Sequence, residues 1–278
     1  MKIRCTTLTL PDAALTYYLY LPPERCNKID INRIRIGERV MVIGFEEELD
    51  SFNIYEKKEK MKFKQIVHFL SGTSSRCLIL KAFDTLFEDL IGSWIWKVAK
   101  QYCIDLWPDI VSKIDKLMES KMDTDYMVIF SLSFIDLEKI CAENTNMSLK
   151  QILETSEFAT KINYGQMKLR VESVLIKSLF DKCLSKIIRE IQHVLVKSDD
   201  KEVTTLILAG NIARSGLLIH AIQKAFPSKQ IAVSDEANEV ALKGAVLFGQ
   251  LPIVVSSIFS GAQVMVAPKK GLTTKVLL

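Results

Sequence analysis

The strongest periodic signal in the chain lies between residues 171 and 196, where Leu175, Ile176, Leu179, Phe180, Cys183, Leu184, Ile187, Ile188, Ile191, Val194 and Leu195 recur at three- and four-residue steps. That spacing predicts a long amphipathic helix with Lys177, Lys182, Lys186, Arg189 and Glu190 on its wet face. Polar residues 198–201 follow, and then 203–209, a short run of Val, Thr, Ile and Leu that predicts a buried strand. Gly210-Asn211 ends it. Residues 215–226 predict a second helix stopped by Pro227, and 230–233 a second strand. Asp235-Glu236 supplies an acidic first turn for a helix through Ala237, Val240, Ala241, Gly244, Ala245 and Phe248. Helices alternating with short strands in this way predict an α/β unit whose sheet is covered on both faces.

Upstream, 39–45, 50–55 and 62–69 predict three strands, and 78–122 turns helical around Phe83, Leu86, Phe87, Leu90, Ile91 and Trp94, then Ile110, Ile114, Leu117 and Met118. Residues 126–134 predict one more strand, and 137–153 a helix around Ile140, Cys141 and Leu149. The middle of the chain, about 75–165, therefore reads as a mainly helical insertion between two halves of one α/β domain. The lysine- and glutamate-rich run 56–64 reads as the solvated turn and edge of a hairpin, where lysines discourage further pairing. From Gly244 to Pro268 no residue is charged, yet Gln250, Pro252, Ser256, Ser257, Ser260 and Gln263 interrupt the stretch. A buried helix followed by a buried strand is expected there in place of a membrane span.

Composition narrows the chemistry. The 278 residues are 49% hydrophobic and 25% charged, the balance of a folded protein with enough core to need no metal or disulfide staple. The 37 basic residues face 33 acidic ones, a net charge of +4 that is too mild to imply nucleic acid. The six cysteines form no C-x-x-C and predict reduced thiols in a cytoplasmic protein. The N-terminal residues contain no apolar stretch of the length a secretory signal needs. The three histidines are isolated, with no H-E-x-x-H and no G-x-S-x-G, so hydrolase and metalloenzyme chemistry have no residues to stand on. The 11 glycines include no G-x-G. That excludes an intact dinucleotide fingerprint or Walker loop, since both bring backbone N–H groups up to phosphate oxygens.

The stretch Leu206-Ile-Leu-Ala-Gly-Asn-Ile-Ala-Arg-Ser-Gly-Leu-Leu218, followed by Asp235-Glu-Ala-Asn-Glu-Val-Ala-Leu-Lys-Gly-Ala-Val-Leu-Phe-Gly249, places small residues and Gly244 where a flat ligand would rest. It resembles the adenosine-binding end of the actin-like ATPase superfamily, in the form used by the 70-kDa heat-shock protein family. The atypical heat shock 70 kDa protein 12 branch of that family reads L-I-L-V-G-G-F-A-E-S-P-L-L and then E-A-x-x-x-x-x-K-G-A-V-L-F-G, and Lys243 to Gly249 carry the most specific piece of the likeness. Leu10-Pro-Asp-Ala-Ala14 is similar to the branch's L-E-P-E-A-A segment, residues 39–56 to its second phosphate hairpin, and Ser71-Gly-Thr-Ser-Ser75 to its S-G-G-x-x-G-S-T turn. Residues 128–153 resemble its strand and T-x-E-E helix, and 164–171 the strand leading into the long helix. The likeness covers about residues 8–260, patchy before 160 and strong after it.

The resemblance implies an α/β fold: lobe II of an actin-like ATPase, with a ribonuclease H-like sheet, flanking helices and a mainly helical inserted subdomain. The implied organisation is an N-terminal connecting segment over 1–38, subdomain A over 39–74 and 166–265, subdomain B over 75–165 and a tail over 266–278. The family's first phosphate loop, D-x-G-T-T, has no counterpart here, so a truncated, lobe-only chain is expected. ATP or ADP with Mg²⁺ is the implied ligand, and Gly210, Asn211, Arg214, Asp235, Gly44 and Asp50 are the implied nucleotide residues.

Departures from the family fall on the phosphates. Where the family reads M-V-V-D-x-G-G-G-T-x-D-I-T, this chain has Met41-Val-Ile-Gly-Phe-Glu-Glu-Glu-Leu-Asp-Ser-Phe-Asn53. Glu46, Glu47 and Glu48 replace three glycines, and Gly44 replaces the leading Asp. Carboxylates repel a triphosphate, and their Cβ atoms block the backbone approach that glycine permits. Leu10 stands for the Glu of the connecting motif. Asp50 has two readings, a displaced survivor of the loop's second acid or a turn residue. Gly210 keeps the first glycine of the G-G pair, and Asn211, which tolerates positive φ, replaces the second. Arg214 falls where typical members stack an Arg on adenine, although the member-12 branch has Glu there, and Asp235 matches the acid that opens the last helix. A surface or capping role is the other reading of both. Glu119 and Lys121 match the insertion's E-x-x-K weakly and read as surface residues. The expected function is that of a chaperone-type, stress-response, nucleotide-binding protein, an ATPase by ancestry with weak or absent activity. The alternative is a pseudo-ATPase scaffold without nucleotide. A nucleotide and client proteins are the expected partners, not nucleic acid or a membrane.

Overall fold

A computed structural model describes residues 8–26, 29–60, 62–119, 127–130, 135–198, 203–250, 254–256 and 265–266. In chain order its helices are α1 (Leu10–Tyr20), α2 (Ser75–Ile91), α3 (Ser93–Tyr102), α4 (Leu106–Glu119), α5 (Ile135–Thr145), α6 (Leu149–Thr155), α7 (Ser173–Lys197), α8 (Gly216–Ala225) and α9 (Val240–Gln250). The strands are β1 (Arg39–Phe45), β2 (Asp50–Glu59), β3 (Lys62–Leu70), β4 (Met127–Phe130), β5 (Ile162–Gly165), β6 (Lys168–Glu172), β7 (Val203–Gly210), β8 (Gln230–Val233), β9 (Val254–Ser256) and β10 (Met265–Val266). The chain divides into two compact units, residues 1–76, 186–214 and 218–278 in the first and 77–185 with 215–217 in the second.

The first unit is built on a mixed sheet in the order β10-β3-β2-β1-β7-β8, with β9 also paired to β3. β1, β7 and β8 run parallel, while β1–β2 and β2–β3 are antiparallel hairpins. Almost every residue of β1 and β7 is buried, which is why both read as unbroken apolar runs. Val40, Val42, Ile207, Ala209 and Ala232 share one cluster with Ala14, Leu15, Tyr18 and Leu19 of α1. Met41, Ile43, Leu206 and Leu208 alternate with them and are also fully buried, so both faces of the central strands are covered. On β3, Phe69 meets the ring of His193 on α7 with centroids 5.7 Å apart.

Periodicity predicts no element before residue 39, yet α1 lies there. Thr9 caps it, accepting from the Asp12 N–H at 3.3 Å, and Pro11 sits in its first turn. All residues from Ala13 to Leu19 are buried. A helix apolar on every side has no 3.6-residue stripe to detect. The Tyr18 hydroxyl donates to the Leu208 carbonyl at 2.9 Å and accepts from the Ser234 N–H at 2.7 Å, tying α1 to two strand ends. α1 also packs on α9. There a Cβ on Gly244 would lie 2.0 Å from the Ala13 carbonyl oxygen, so the space that reads in sequence as room for a ligand is occupied by α1.

Other elements differ in detail. The last helix starts at Val240, not at Asp235, because the Ala237 carbonyl accepts from the Gly210 N–H at 2.8 Å and the Ser234 hydroxyl accepts from the Glu236 N–H at 3.1 Å. These bonds hold 234–239 in turns. The lysine-rich run is no free edge: β2 continues through it to Glu59, and β9 and β10 pair with β3 along its other side. Lys62 and Lys64 point to solvent on either side of buried Phe63, leaving the backbone free to pair. Lys57 is buried, and its ammonium donates to the Ile34 carbonyl at 2.8 Å. The single strand expected over 164–171 is instead the β5–β6 hairpin, turned by Gln166 and Met167 at φ 53° and 57°. Of the strand expected over 126–134, residues 126 and 131–134 lie outside the described residues, as does Lys121. Of the uncharged stretch after α9, only 254–256 and 265–266 are described, both as strands.

The second unit combines α2–α6 with the antiparallel sheet β4-β6-β5. Its aromatic core centres on Trp96, which stacks on Phe87 at 4.9 Å and 16°. The indole N–H donates to Asp84 Oδ1 at 2.6 Å, and the Lys100 ammonium donates to the same oxygen at 2.6 Å while lying 5.4 Å from the indole centroid. Phe83 meets Phe130 and Phe180 edge-on beside it. Among the described residues no helix is long and apolar enough to cross a membrane.

Candidate functional site

Register gathers four of the predicted residues at one end of the first unit's sheet. Gly44 lies opposite Ala209 in β7 and Ser51 in β2, and Phe45 lies opposite Gly210 and Asp50. Gly44, Asp50, Gly210 and Asn211 are thereby neighbours. Arg214 and Asp235 are not drawn in with them. Both are exposed, Arg214 in the turns after Gly210 and Asp235 just past β8, and Arg214 makes no ion pair with a described residue. A cleft of about 590 Å³ opens at this end, lined by Leu10, Phe45, Glu46, Glu47, Glu48, Leu49, Leu70, Gly210, Asn211, Asn238 and Ala241.

The glycines at this end of the sheet serve backbone packing. Gly210 has φ +97°, and a Cβ there would sit 2.1 Å from the Phe45 carbonyl oxygen. Its N–H donates to Ala237, and the next N–H, of Asn211, donates to Phe45 at 3.2 Å. Both amides at the strand end are therefore engaged within the chain. A Cβ on Gly44 would meet Ser51 Oγ at 2.6 Å and Leu10 Cδ2 at 3.1 Å. Leu10 thus fills space beside the strand.

Two of the three glutamates make internal contacts as well. Glu46 accepts from the Ser51 hydroxyl at 3.2 Å. Glu47 accepts from the Asn211 side-chain amide at 2.7 Å and from Arg76 at 3.1 Å, bridging the β1–β2 loop to the turn after β7 and to the start of α2. Sequence reasoning singles out Asn211 and Glu47 separately, and nothing local announces Arg76 as their partner. Beyond the cleft, it is Glu236 and not Asp235 that is engaged in ion pairs. It accepts from the Tyr17 hydroxyl at 2.5 Å and pairs with Arg25 and Lys243 at 2.8 Å each. The Lys243 bond, then that of Tyr17, holds its carboxyl down at about 2. Among the described residues no group of His, Cys, Asp and Glu side chains is arranged to hold a metal ion.

Asp50 is no exposed turn residue. It is 0% exposed, and its Oδ2 accepts from the Ser75 N–H at 2.9 Å and from the Ser75 hydroxyl. Its own backbone exchanges bonds with Ser71, the N–H donating to Ser71 Oγ at 3.1 Å and the carbonyl accepting from the Ser71 N–H at 2.8 Å. It clasps the turn 71–75 to the hairpin. Oδ1 is buried without a hydrogen-bond partner. Burial pushes the carboxyl up to about 6 against the opposing pull of Ser75 and Lys186, and Glu190 adds to the rise. A proton is thus held more tightly folded than unfolded, so this group's contribution to stability falls as pH rises from 3.8 to about 6. Ionised, it costs roughly 3 kcal/mol, at about 1.4 kcal/mol per unit. Asp50→Asn is expected to raise stability at neutral pH by about 1–3 kcal/mol and to flatten the dependence through that window. Urea unfolding across it checks this, and a variant less stable than wild type at neutral pH contradicts it.

The mixed sheet flanked by helices, with its cleft at the strand ends, defines an α/β protein of the kind found in lobes of the actin-like ATPases. In sequence the chain is 34% identical to human heat shock 70 kDa protein 12B over 109 residues, 37% of this chain and 16% of that protein. It is similar to mouse and human heat shock 70 kDa protein 12A at 34% and 33% identity over 92 residues, 33% of this chain and 14% of each relative. These matches relate the chain to the 12A and 12B branch of the 70-kDa heat-shock proteins, and they span less than a fifth of the relatives' own length. No protein-family model matches the chain.

Proposed function

We propose that this chain is a heat shock 70 kDa protein 12-like lobe with a degenerate phosphate site, acting as a protein-interaction scaffold and not as an ATPase. One observation carries the reading: where a triphosphate would need open backbone and donors, the cleft presents Leu10, Glu46, Glu47 and Glu48, and the amides of Gly210 and Asn211 are already engaged. Mg²⁺-ATP does not fit these residues. Each close carboxylate–phosphate pair adds repulsion of about 1–4 kcal/mol at 4 Å, depending on solvent access. In this reading the first unit corresponds to lobe II subdomain A and the second, which takes in β6 and residues up to 185, to subdomain B, with protein partners for the scaffold role.

Purified protein is expected to show no Mg²⁺-ATP hydrolysis above background. About 1 mM Mg²⁺-ATP or ADP is expected to move Tm by less than about 2 °C, the shift of a ligand no tighter than its own concentration. Turnover above background that Asn211→Ala abolishes would sink the proposal, and an ADP-dependent shift lost in the same variant would favour retained nucleotide binding without hydrolysis.

A further inference from the structure

We propose that the groove between α3 and α5 docks a partner protein through an amphipathic helix that carries Lys or Arg beside its apolar stripe. α3 has two apolar sides. Ile95, Trp96 and Ala99 are buried, while Trp94, Val98 and Tyr102, four residues apart, form a second stripe. Trp94 is 66% exposed and Tyr102 71%, with Ile104 just past the helix at 81%. Rings of this size left in water mark surfaces that bind, since Trp and Tyr carry a disproportionate share of interface energy.

Opposite the stripe stands one face of α5, with Asp136, Ile140 and Glu143 at helical spacing, and the two faces bound a groove of about 570 Å³. Lys139 and Glu143 pair with each other at 4.0 Å. Asp136 has no ion pair with a described residue, so the polar wall is net acidic. Its field reaches the buried Cys103 that also lines the groove, whose thiol is pushed up by burial first and by Asp136 second. The complementary occupant is cationic and apolar together: an ammonium or guanidinium against Asp136 and over an aromatic ring, with aliphatic side chains against Val98 and Ile140. From Trp94 to Tyr102 the stripe is about 12 Å long at 1.5 Å per residue, the reach of about two turns of a partner helix. A second copy docking by the same face would bring this acidic wall twice into one interface, a poorer complement than a basic partner.

The probe is a fluorescein-labelled, 14-residue peptide of Leu and Lys in helical register, titrated into the full chain by anisotropy beside the same peptide with Glu for Lys. The Lys peptide is expected to bind at least about tenfold more tightly than the Glu peptide and to lose about tenfold in Trp94→Ala. Asp136→Lys is expected to reverse the preference. Both side chains are exposed, and Tyr102→Ser replaces Trp94→Ala should that variant lower Tm. Equal affinity for the two peptides, or unchanged binding in the Trp94 and Tyr102 variants, overturns the proposal. So does a wild-type dimer in sedimentation that Trp94→Ala converts to monomer, which would assign the face to a second copy.

Discussion

Gly244→Ala is expected to destabilise the first unit by about 3 kcal/mol or more, the upper range for overpacking a close contact, while Gly249→Ala on the same helix is not. Alanine is the better helix former by about 1 kcal/mol, so propensity alone favours both substitutions. The difference is what the new methyl meets. At Gly249 no described residue lies within 4 Å, whereas at Gly244 the Ala13 carbonyl oxygen, carbon and Cα would stand at 2.0, 2.5 and 2.9 Å. These are backbone atoms of a buried helix and cannot swing aside as a side-chain end would. α1 must retreat as a body, and with it the Tyr18 hydroxyl that joins Leu208 to Ser234. Urea unfolding of the two variants gives the comparison. A Gly244→Ala protein within about 1 kcal/mol of wild type, no more than the propensity difference, would mean that the crossing of α1 and α9 is looser than described.

Trp96→Ala is expected to cost the second unit about 3–5 kcal/mol, as for other large aromatic truncations in a core. The substitution removes the stack on Phe87 and the edge contact with Trp107. It also leaves the half-buried Asp84 with Lys100 and without the indole N–H. Trp96→Phe keeps most of the ring volume and loses the donor, so it is expected to cost about 1–3 kcal/mol. The order Ala worse than Phe distinguishes a packing role from a purely polar one. Near-ultraviolet circular dichroism through a denaturant titration follows the change, and equal losses in the two variants would contradict the account.

The sequence pattern makes β1, β7, β8 and α7 legible because each is either a short apolar run between breakers or a strongly striped helix. It fails at α1, where Ala13 to Leu19 are buried without interruption and amphipathic contrast vanishes. It also fails at the β5–β6 turn, where Gln166 and Met167 take positive φ without the Asn-Gly signature that usually marks such a turn. At the site, strand-end reasoning brings Gly44, Asp50, Gly210 and Asn211 to one place. The bridge from Glu47 to Asn211 and Arg76 joins residues 164 and 29 positions apart, a relation no local motif encodes. Gly244 shows the opposite failure: a residue that suggests space for a ligand is the point at which two helices touch.

The burial of α1 also sets an order of events on the ribosome. It packs on β1 close by in sequence and also on β7, the residues after β8 and α9, and its Tyr17–Glu236 and Tyr18–Leu208 bonds close loops of 219 and 190 residues. Contacts of such long range form late. The second unit, by contrast, is nearly continuous between residues 77 and 185 and has its aromatic core complete once Phe180 has emerged. By chain order, residues 77–185 of the second unit are made before β7 and α9, which bury much of the Ala13 to Leu19 segment. In that interval the side of α1 that β7 and α9 later bury is open to other chains and to chaperones.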